Sequence, residues 1–340
     1  MKFRGLAGEQ VIQRTLRVGL TLVFGGSLVL LSGCALRHEA ANVRLEKGAD
    51  ALARNDLDVA LAEFQEAVRL DPEFAEAHTK LGIAYKQKGN LTEAAESLKT
   101  AVRLDPNDFV STFELGEVYR LLNKVSQAIQ AYVIACELNP LDFGARVRLA
   151  DCYYRSGELA PAAEAYERAL KLDPNNAQGW SNLGAVYHMQ NQPYEAIKAY
   201  KRSLECDTHQ PAVLVNLATV YLKQQRWQTA HRALLKAIDI DPNVSAAYER
   251  LGYCLWRQGL YEAAVERYRK AVELDSHNAA AHAGLGVVRM SQYLDAPEHT
   301  EFRDQAVESW HISLELDPHQ PKLRALVEKY RPRETEPALT

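Results

Sequence analysis

The chain has 340 residues, of which 47% are hydrophobic and 25% charged, and this is the composition of an ordinary globular protein with one or two substantial cores. Its formal net charge is −4, and no block of basic residues interrupts the sequence. A mildly acidic chain of this kind is a poor nucleic-acid binder, because contacts to phosphate supply most of the affinity in such complexes.

The amino terminus has the pattern of an export signal. Four basic residues against a single acidic one precede an uncharged stretch rich in Leu, Val and Gly, from Val18 to Ser32. The stretch ends at Leu31-Ser32-Gly33-Cys34, where small residues before a cysteine resemble the bacterial lipobox. The resemblance implies that a lipoprotein signal peptide over residues 1–33 is cleaved and that lipid is attached to Cys34, whose thiolate is the nucleophile.

An uncleaved membrane anchor is the alternative, since Val18 to Leu36 contains 19 residues without a charge and is barely long enough to span a bilayer. Three glycines and the Ser-Gly-Cys ending favour cleavage. Basic residues stay on the cytoplasmic side in both cases, which places the rest of the chain beyond the inner membrane. We expect a lipid-anchored protein of the bacterial cell envelope, joined to its anchor by a short linker over 34–40. The residue after Cys34 is Ala35 and not the Asp that is associated with retention in the inner membrane of enterobacteria. This difference favours the outer membrane, with the protein facing the periplasm.

The body of the chain is an internal repeat. Leu-Asp-Pro and close variants recur, and Pro72, Pro106, Pro140 and Pro174 lie 34 residues apart. With these prolines at repeat position 32, positions 7 and 8 read Leu-Gly or Leu-Ala, and position 11 is mostly Tyr. Position 20 is Ala in every repeat, and position 24 is large and mostly aromatic. A fixed period of this length indicates a repeat architecture.

The spacing predicts two packed helices in each repeat. Apolar residues at positions 4, 7, 8 and 11 form a stripe on a first helix, and positions 20, 24 and 27 form the facing stripe of a second. Small residues at positions 8, 20 and 27 allow the helices to approach closely. Proline at position 32 ends the second helix, and Asp at position 31 is expected to cap the next one.

These signatures resemble the tetratricopeptide repeat (TPR) family over residues 41–320. The resemblance implies an all-α, right-handed α-solenoid of about eight helix-turn-helix repeats, starting near residues 41, 75, 109, 143, 177, 211, 245 and 279. A capping helix over 321–330 and a disordered tail over 331–340 are expected to follow. The eighth repeat has twenty residues from Gly286 to Ala306 where twelve are usual, so eight residues are inserted around Tyr293–Arg303.

The sequence shows little sign of catalysis or metal binding. No common catalytic, nucleotide-binding or calcium-binding motif is present, so we expect no enzyme, no cofactor and no metal. His209, His277 and His319 recur at inter-repeat turns and are interpreted as solvated, because zinc needs its ligands around one point. An enzymatic alternative would require a catalytic group in the inserted loop near Glu298–Asp304.

Four cysteines follow Cys34. Cys136 and Cys152 fall at facing positions of neighbouring repeats in an oxidising compartment, so a disulfide between them is one interpretation. The other interpretation is that both cysteines are unpaired and act as small buried hydrophobic residues. Cys206 and Cys254 lie almost two repeats apart and are not expected to pair.

The family resemblance also assigns a partner-binding groove. In TPR proteins, positions 2, 5, 6, 9, 12 and 13 of the first helix line the concave face. The candidates here are Phe113, Arg148, Tyr154, Asn182, Asn216, Leu222, Arg250, Tyr253 and Trp256. The large side chains among them, together with Met290, are expected to be partly exposed as interface anchors, although some could instead pack against neighbouring helices.

Position 6 reads Arg148, Asn182, Asn216 and Arg250 in four successive repeats. In related superhelical TPR proteins, Asn at this position bonds the backbone of an extended peptide, and the flanking Arg residues could hold carboxylates. We therefore expect a scaffold that binds segments of envelope proteins, with a layout similar to TPR lipoproteins that assist type IV pilus secretins. A polysaccharide-binding role in exopolysaccharide export or cell-wall synthesis is the alternative.

Overall fold

A computed structural model of the chain describes residues 26–331, with side chains from residue 35 onward. Residues 1–25 and 332–340 lie outside the described residues. They include most of the predicted signal peptide and nearly all of the predicted tail. The side chain of Cys34, the predicted lipidation site, is also outside them. The described part of the chain consists of α-helices joined by short turns and contains no strand, so the predicted all-α fold is confirmed.

The described helices fall into two compact units, which are divided between Pro140 and Leu141. The first unit contains α1 (Gly26–Ala53), α2 (Leu57–Leu70), α3 (Ala75–Lys88), α4 (Leu91–Leu104), α5 (Phe109–Leu121) and α6 (Val125–Leu138). The second unit contains α7 (Phe143–Ser156), α8 (Leu159–Leu172), α9 (Ala177–Met189), α10 (Pro193–Cys206), α11 (Pro211–Lys223), α12 (Trp227–Ile240), α13 (Ser245–Arg257), α14 (Tyr261–Leu274), α15 (Ala279–Asp295), α16 (Thr300–Leu316) and α17 (Pro321–Tyr330).

The first helices of repeats two to eight begin at regular intervals. Their starting residues are Ala75, Phe109, Phe143, Ala177, Pro211, Ser245 and Ala279, which are the residues at which the sequence period places the repeat starts. Each first helix packs against the second helix of its own repeat, and the second helix packs against the next first helix within the unit. This stacking buries the apolar flank that a single helix pair leaves exposed.

The helix pairs approach closely because small residues face large ones. Alanines at position 20, such as Ala94 and Ala196, have no exposed surface, and neither has Ala101 at position 27. At position 8, a Cβ added to Gly116 or Gly184 would lie 2.7 Å from the ring of the tyrosine at position 24 of the same repeat. The glycine at position 8 thus accommodates the aromatic ring that fills the core of its repeat.

A residue with positive φ lies in the turn between the two helices of each of the first seven repeats. These residues are spaced 34 apart at position 15 and are Asn55, Gly89, Asn123, Gly157, Asn191, Gln225 and Gly259. Such left-handed residues end helices by allowing the following amide groups to bond the last free carbonyls. Sequence reasoning missed this signal, although Asn and Gly predominate at the position.

Aspartate at position 31 has a different role from the one predicted. Asp71, Asp105 and Asp173 end the second helices in extended or near-extended conformations, and the carboxylate of each accepts a hydrogen bond from the backbone N–H two residues later. The first helices are instead capped from position 34, for example by Asp108 and Asp142. The expectation that position 31 caps the next helix was wrong, because the turn between repeats places two further residues before that helix.

The predicted linker over 34–40 lies within α1, which runs without a break from Gly26 to Ala53. Residues 35–40 are exposed, and Ala41 is the first buried side chain. His38 Nδ1 lies 2.6 Å from Asp71 Oδ2, and its ring lies 4.6 Å from that of Phe74. The exposed part of α1 therefore contacts the turn that connects α2 and α3 through His38. No helix within residues 26–331 is both long enough and apolar enough to cross a membrane.

The eight-residue insertion lengthens both helices of the last repeat. Helices α15 and α16 each have 17 residues, whereas α14 has 14, and a four-residue turn joins them. Tyr293 occupies position 15, where earlier repeats have a left-handed residue, and an aromatic side chain disfavours that conformation. The helix consequently continues to Asp295. Arg289 and Arg303 lie over the rings of Phe302 and Tyr293, which joins the two extensions.

Candidate partner-binding groove

The candidate groove lies in the second unit, on the first helices α7, α9, α11 and α13. We call the surface formed by Arg148, Tyr154, Asn182, Asn216, Arg250, Tyr253 and Trp256 the groove face. Neighbouring first helices pack directly on one another from α9 to α15, so their side chains form one continuous surface. Small residues at position 8 bring the first helix of a repeat close to the second helix of the same repeat. This packing fixes the direction in which the side chains at positions 6, 9 and 12 of the first helix project.

The first part of the groove face combines charge with an exposed ring. Arg148 Nη1 lies 3.7 Å from Asp151 Oδ2, and the hydroxyl of Tyr166 on α8 donates a hydrogen bond to the other oxygen of that carboxylate. Burial and this hydrogen bond raise the pKa of Tyr166. Tyr154, one turn further along α7, remains 37% exposed. Asp151 is thus held from both sides, while the ring of Tyr154 is available to a partner.

The two asparagines predicted to contact a peptide backbone differ in their surroundings. Asn182 is half-buried, and its Oδ1 accepts a hydrogen bond from Gln178 Nε2 at 2.7 Å. Asn216 is exposed on α11. Both side chains lie on the groove face at the same register of adjacent helices, and an amide can both donate to and accept from a peptide unit.

A pocket of about 180 Å³ lies between α11 and α13. It is lined by Thr219, Leu222, Lys223, Glu249, Arg250 and Tyr253. Leu222 is only 7% exposed and forms part of the lining, so the expectation that it projects as a partly exposed anchor was wrong. Met290 is likewise 5% exposed, because it packs with Val307 and the capping helix.

A carboxylate and an arginine sit side by side in this pocket. Glu249 Oε2 lies 2.8 Å from Arg250 Nη1, and the Glu249 side chain is 15% exposed. Burial raises the pKa of Glu249, while the charge of Arg250 opposes that change. Burial and the charge of Glu249 also raise the pKa of the buried Tyr268. The pocket therefore presents both signs of charge beside the apolar side chains of Leu222 and Tyr253.

An aromatic cluster forms the far end of the groove face. The ring centroids of Trp227 and Tyr253 lie 6.3 Å apart, and those of Tyr253 and Trp256 lie 5.8 Å apart. The guanidinium of Arg257 stacks 4.8 Å from the centroid of Trp227, and Trp256 Nε1 donates to Ser291 Oγ at 2.9 Å. Trp227 was missed at the sequence level because it belongs to the second helix α12, outside the positions that line the groove in the family.

Phe113 belongs to the other unit and packs with its own neighbours. Its ring lies 5.7 Å from that of Phe109 and 5.8 Å from that of Tyr132. The Tyr132 hydroxyl donates to Glu117 at 2.5 Å. The half-buried Phe113 is therefore part of a local aromatic cluster of the first unit, and we leave it out of the groove face.

The recurring histidines are exposed residues of the inter-repeat turns. The backbone N–H groups of His209, His277 and His319 each donate to the aspartate two residues earlier. Among the described side chains, no group of three or more His, Cys, Asp or Glu residues could hold a metal ion. The suggested catalytic group in the insertion would have to come from Glu298–Asp304, a segment that the structure shows as a short turn and the start of α16.

The cysteines are distributed over both units. Cys136 lies in the first unit and Cys152 in the second, and a disulfide between them stays one of two open interpretations. Cys206 and Cys254 are free thiols, and burial raises the pKa of Cys254. Cys254 is thereby poorly suited to act as a nucleophile.

Comparisons with known families agree with this architecture. A profile described as the C-terminal domain of cilia and flagella-associated protein 70 matches residues 111–285, just over half of the chain. A profile described as tetratricopeptide repeat matches residues 45–109 and 255–321. No curated protein matches the sequence significantly.

Solved structures show the same fold. A tetratricopeptide repeat protein from Parabacteroides merdae has 18% identity and a TM-score of 0.58, and the match covers 75% of this chain and 98% of that one. The Cut9–Hcn1 hetero-tetramer of the APC/C has 20% identity and a TM-score of 0.54, with 85% and 57% covered. PilF from Pseudomonas aeruginosa has 18% identity and a TM-score of 0.50, with 61% and 94% covered. At these identities the likeness is one of fold alone. On its helix pairs, its 34-residue period and these profiles, the chain belongs to the tetratricopeptide repeat family.

Proposed function

We propose that this protein is a scaffold of the bacterial cell envelope, anchored by lipid on Cys34, whose groove face binds a segment of a partner protein and assists assembly of an envelope complex such as a pilus or secretin. The observation that carries the binding role is the groove face itself. Amide and guanidinium groups lie there at position 6 of four successive first helices, with the ring of Tyr154 at one end of the row and those of Tyr253 and Trp256 at the other.

The chemistry of this surface suits an extended or helical protein segment. Backbone groups of a bound segment can bond the amides of Asn182 and Asn216, while partly exposed rings supply apolar anchors. TPR repeats generally form interaction surfaces without catalysis. The carboxylates beside the groove face, Glu249 and Asp151, are paired with Arg250 and Tyr166. Such pairing keeps the surface ordered before a partner arrives, which reduces the entropy lost on binding.

The envelope location rests on the sequence pattern at the amino terminus. A basic start, an uncharged stretch and Leu31-Ser32-Gly33-Cys34 support export and lipidation. Incubation with radiolabelled palmitate tests this directly: the protein should incorporate label, and Cys34→Ser should abolish it. A labelled Cys34→Ser protein would contradict the proposed anchor.

The binding role is tested by capture from crosslinked, detergent-solubilised envelopes. We expect the combined variant Tyr154→Ala, Asn182→Ala, Asn216→Ala and Trp256→Ala to lose a partner that the unchanged protein recovers, because each change removes a different contact of the groove face. The matched control replaces four exposed residues of the second helices by alanine, namely Lys201, Glu205, Leu235 and Lys236. Circular dichroism should show equal helix content in all three proteins. Equal recovery of the partner by the groove variant would overturn the proposal.

A polysaccharide is the second candidate ligand, and the cluster of Trp227, Tyr253 and Trp256 is the observation that favours it. Aromatic faces stack on sugar rings, and this cluster is the largest group of rings on the groove face. The two candidates differ in the same capture experiment: recovery of glycan without protein, lost when Trp256 is replaced by Ala, would favour the polysaccharide.

A further inference from the structure

A pocket of about 470 Å³ lies in the first unit, between the second helices α2 and α4. Both of these helices pack on α3. Helix α3 contributes the most buried lining residues, His78 and Leu81, together with the half-buried ring of Tyr85. Val68 adds an apolar side chain from α2. The pocket therefore has an apolar base, and none of its lining residues belongs to the groove face.

The part of the pocket that α4 forms presents hydrogen-bond acceptors. Glu93 and Glu96 supply two carboxylates, which only accept hydrogen bonds when they are ionised. The hydroxyl of Ser97 donates to the backbone carbonyl of Glu93 at 2.9 Å. The hydroxyl of Thr100 donates to the backbone carbonyl of Glu96 at 3.0 Å. Because both hydroxyl protons are engaged, these oxygens are left to accept from a ligand, and the pocket favours a group that is rich in donors.

The charge of the pocket is negative. Two carboxylates line it, and no basic side chain of residues 35–331 does so. Glu93 has no ion-pair partner within that range, while Glu96 lies 3.1 Å from Lys99 in an exposed pair of the kind that contributes little to stability. Lys88 on α3 is engaged by Asp58. A cation from outside the chain is therefore the charge that would complement this surface.

Later repeats carry a cation of their own at the equivalent place. Position 26 is Thr100 in the second repeat, whereas repeats four to seven have a basic residue there, namely Arg168, Arg202, Lys236 and Lys270. In the fourth repeat, Arg168 pairs with Glu164 at position 22, which is the position of Glu96. The second repeat thus keeps the carboxylate at position 22 but lacks the guanidinium that accompanies it in the fourth.

We propose that this pocket binds the side chain of an arginine on a partner protein. A guanidinium has five N–H donors and no acceptor, and it can bond a carboxylate through two nitrogens at once. Its carbon stem fits the apolar base formed by Val68 and Leu81, and the ring of Tyr85 is a group that a cation can contact favourably. An ammonium group is a strongly hydrated point charge with three donors, so lysine uses fewer of the acceptors.

Isothermal titration calorimetry of the full-length protein in a non-ionic detergent tests this site. Salt at about 0.15 M screens the long-range attraction of any cation to an acidic protein. The probe is N-acetylated tetraarginine amide. N-acetylated tetralysine amide has the same charge, and N-acetylated tetracitrulline amide has nearly the same shape without the charge. We expect the arginine probe to bind at least about fivefold more tightly than the lysine probe, and the citrulline probe not to bind.

Two substitutions should each weaken binding of the arginine probe at least about fivefold. Glu93→Gln removes a carboxylate of the pocket, and Thr100→Arg introduces the guanidinium that the fourth repeat has at this position. The matched control is Glu137→Gln, an exposed change on α6 that alters the net charge equally and should leave the affinity unaltered. Circular dichroism should show the same helix content in all these proteins.

The groove variant used for partner capture should bind the arginine probe as the unchanged protein does, because its four substitutions lie in the second unit. Absence of binding, equal affinity for the arginine and lysine probes, or an affinity unchanged by Glu93→Gln would overturn the inference. Loss of probe binding in the groove variant would also overturn it, since the probe would then occupy the groove face.

Discussion

At the level of single residues, the space between the helices of a repeat depends on one glycine. Gly286 lies opposite Trp310, which is 1% exposed and whose Nε1 donates to the carbonyl of Ala283. A Cβ at Gly286 would lie 2.4 Å from the indole ring and 2.8 Å from the carbonyl oxygen of Ala306. Neither the buried ring nor the backbone can move away without disturbing the core of the last repeat.

We expect Gly286→Ala to lower the free energy of unfolding by about 2–3 kcal/mol, since overpacking of a filled core has costs of this size. Urea denaturation followed by circular dichroism measures the change. The double variant Gly286→Ala with Trp310→Leu reproduces the Ala218 and Leu234 pair of the sixth repeat. The decrease in the free energy of unfolding of this double variant should be smaller, by at least about 1 kcal/mol, than the sum of the decreases in the two single variants. Additive losses would show that steric overlap with Trp310 is not the cause.

At the level of the helix pair, the turn between the two helices is defined by one backbone conformation. Gln225 has a φ of 59°, in a position that the other six of the first seven repeats fill with Asn or Gly. Its N–H donates to the carbonyl of Leu222, and that of Arg226 donates to the carbonyl of Tyr221. These bonds require the left-handed conformation, which is unfavourable for a glutamine side chain.

Replacement of Gln225 by Gly should raise the free energy of unfolding by about 0.5–1 kcal/mol, because glycine adopts positive φ without steric strain. Chemical denaturation provides the measurement. Asn191→Gly, at the equivalent position with a φ of 57°, is the matched control and should change the stability by less than about 0.5 kcal/mol, because asparagine already tolerates this conformation. A loss of stability in Gln225→Gly would contradict the assignment of strain to this residue.

The helix pairs also show which features the sequence could predict. The 34-residue period, with small residues at positions 8 and 20, sufficed for the all-α fold, because those positions report the packing within a repeat. The burial of Leu222 was not predictable in this way, since it depends on how α11 lies against α13. The same holds for Trp227, which reaches the groove face from a second helix. Contacts between repeats vary with individual side chains, whereas contacts within a repeat follow the common pattern.

At the level of the whole molecule, each repeat is stabilised by its immediate neighbours. The eighth repeat is followed by α17, whose Leu323 and Val327 pack with Met290, Val307 and Trp310 as the first helix of a further repeat would. In stacked repeats of this type, stability is close to a sum of local and nearest-neighbour terms. Loss of the capping helix should therefore affect the end of the chain before it affects the rest.

We expect Leu323→Asp combined with Val327→Asp to lower the hydrogen-exchange protection of α15 and α16 by at least about tenfold, because charged groups cannot occupy the apolar contact with the last repeat. Protection of α2 to α6 in the first unit should stay unchanged. The exposed residues of the same helix supply the control, Lys322→Ala with Lys329→Ala, which should leave all helices protected. A uniform loss of protection along the chain would show that the repeats unfold as a single unit.

The lengthened helices of the eighth repeat indicate which insertions such a fold can accept. Residues 3.6 positions apart lie on the same face of an α-helix. An extension of about one turn on each helix of the pair therefore leaves the inward side chains of the two helices facing one another. The eight additional residues are divided in this manner between α15 and α16, with the remainder in the turn. Insertions at this end of a repeat are therefore accepted in steps of about one turn on each helix. Insertions of about seven or eight residues preserve the alignment of the two helices, whereas shorter ones would rotate one helix against the other or enlarge the loop.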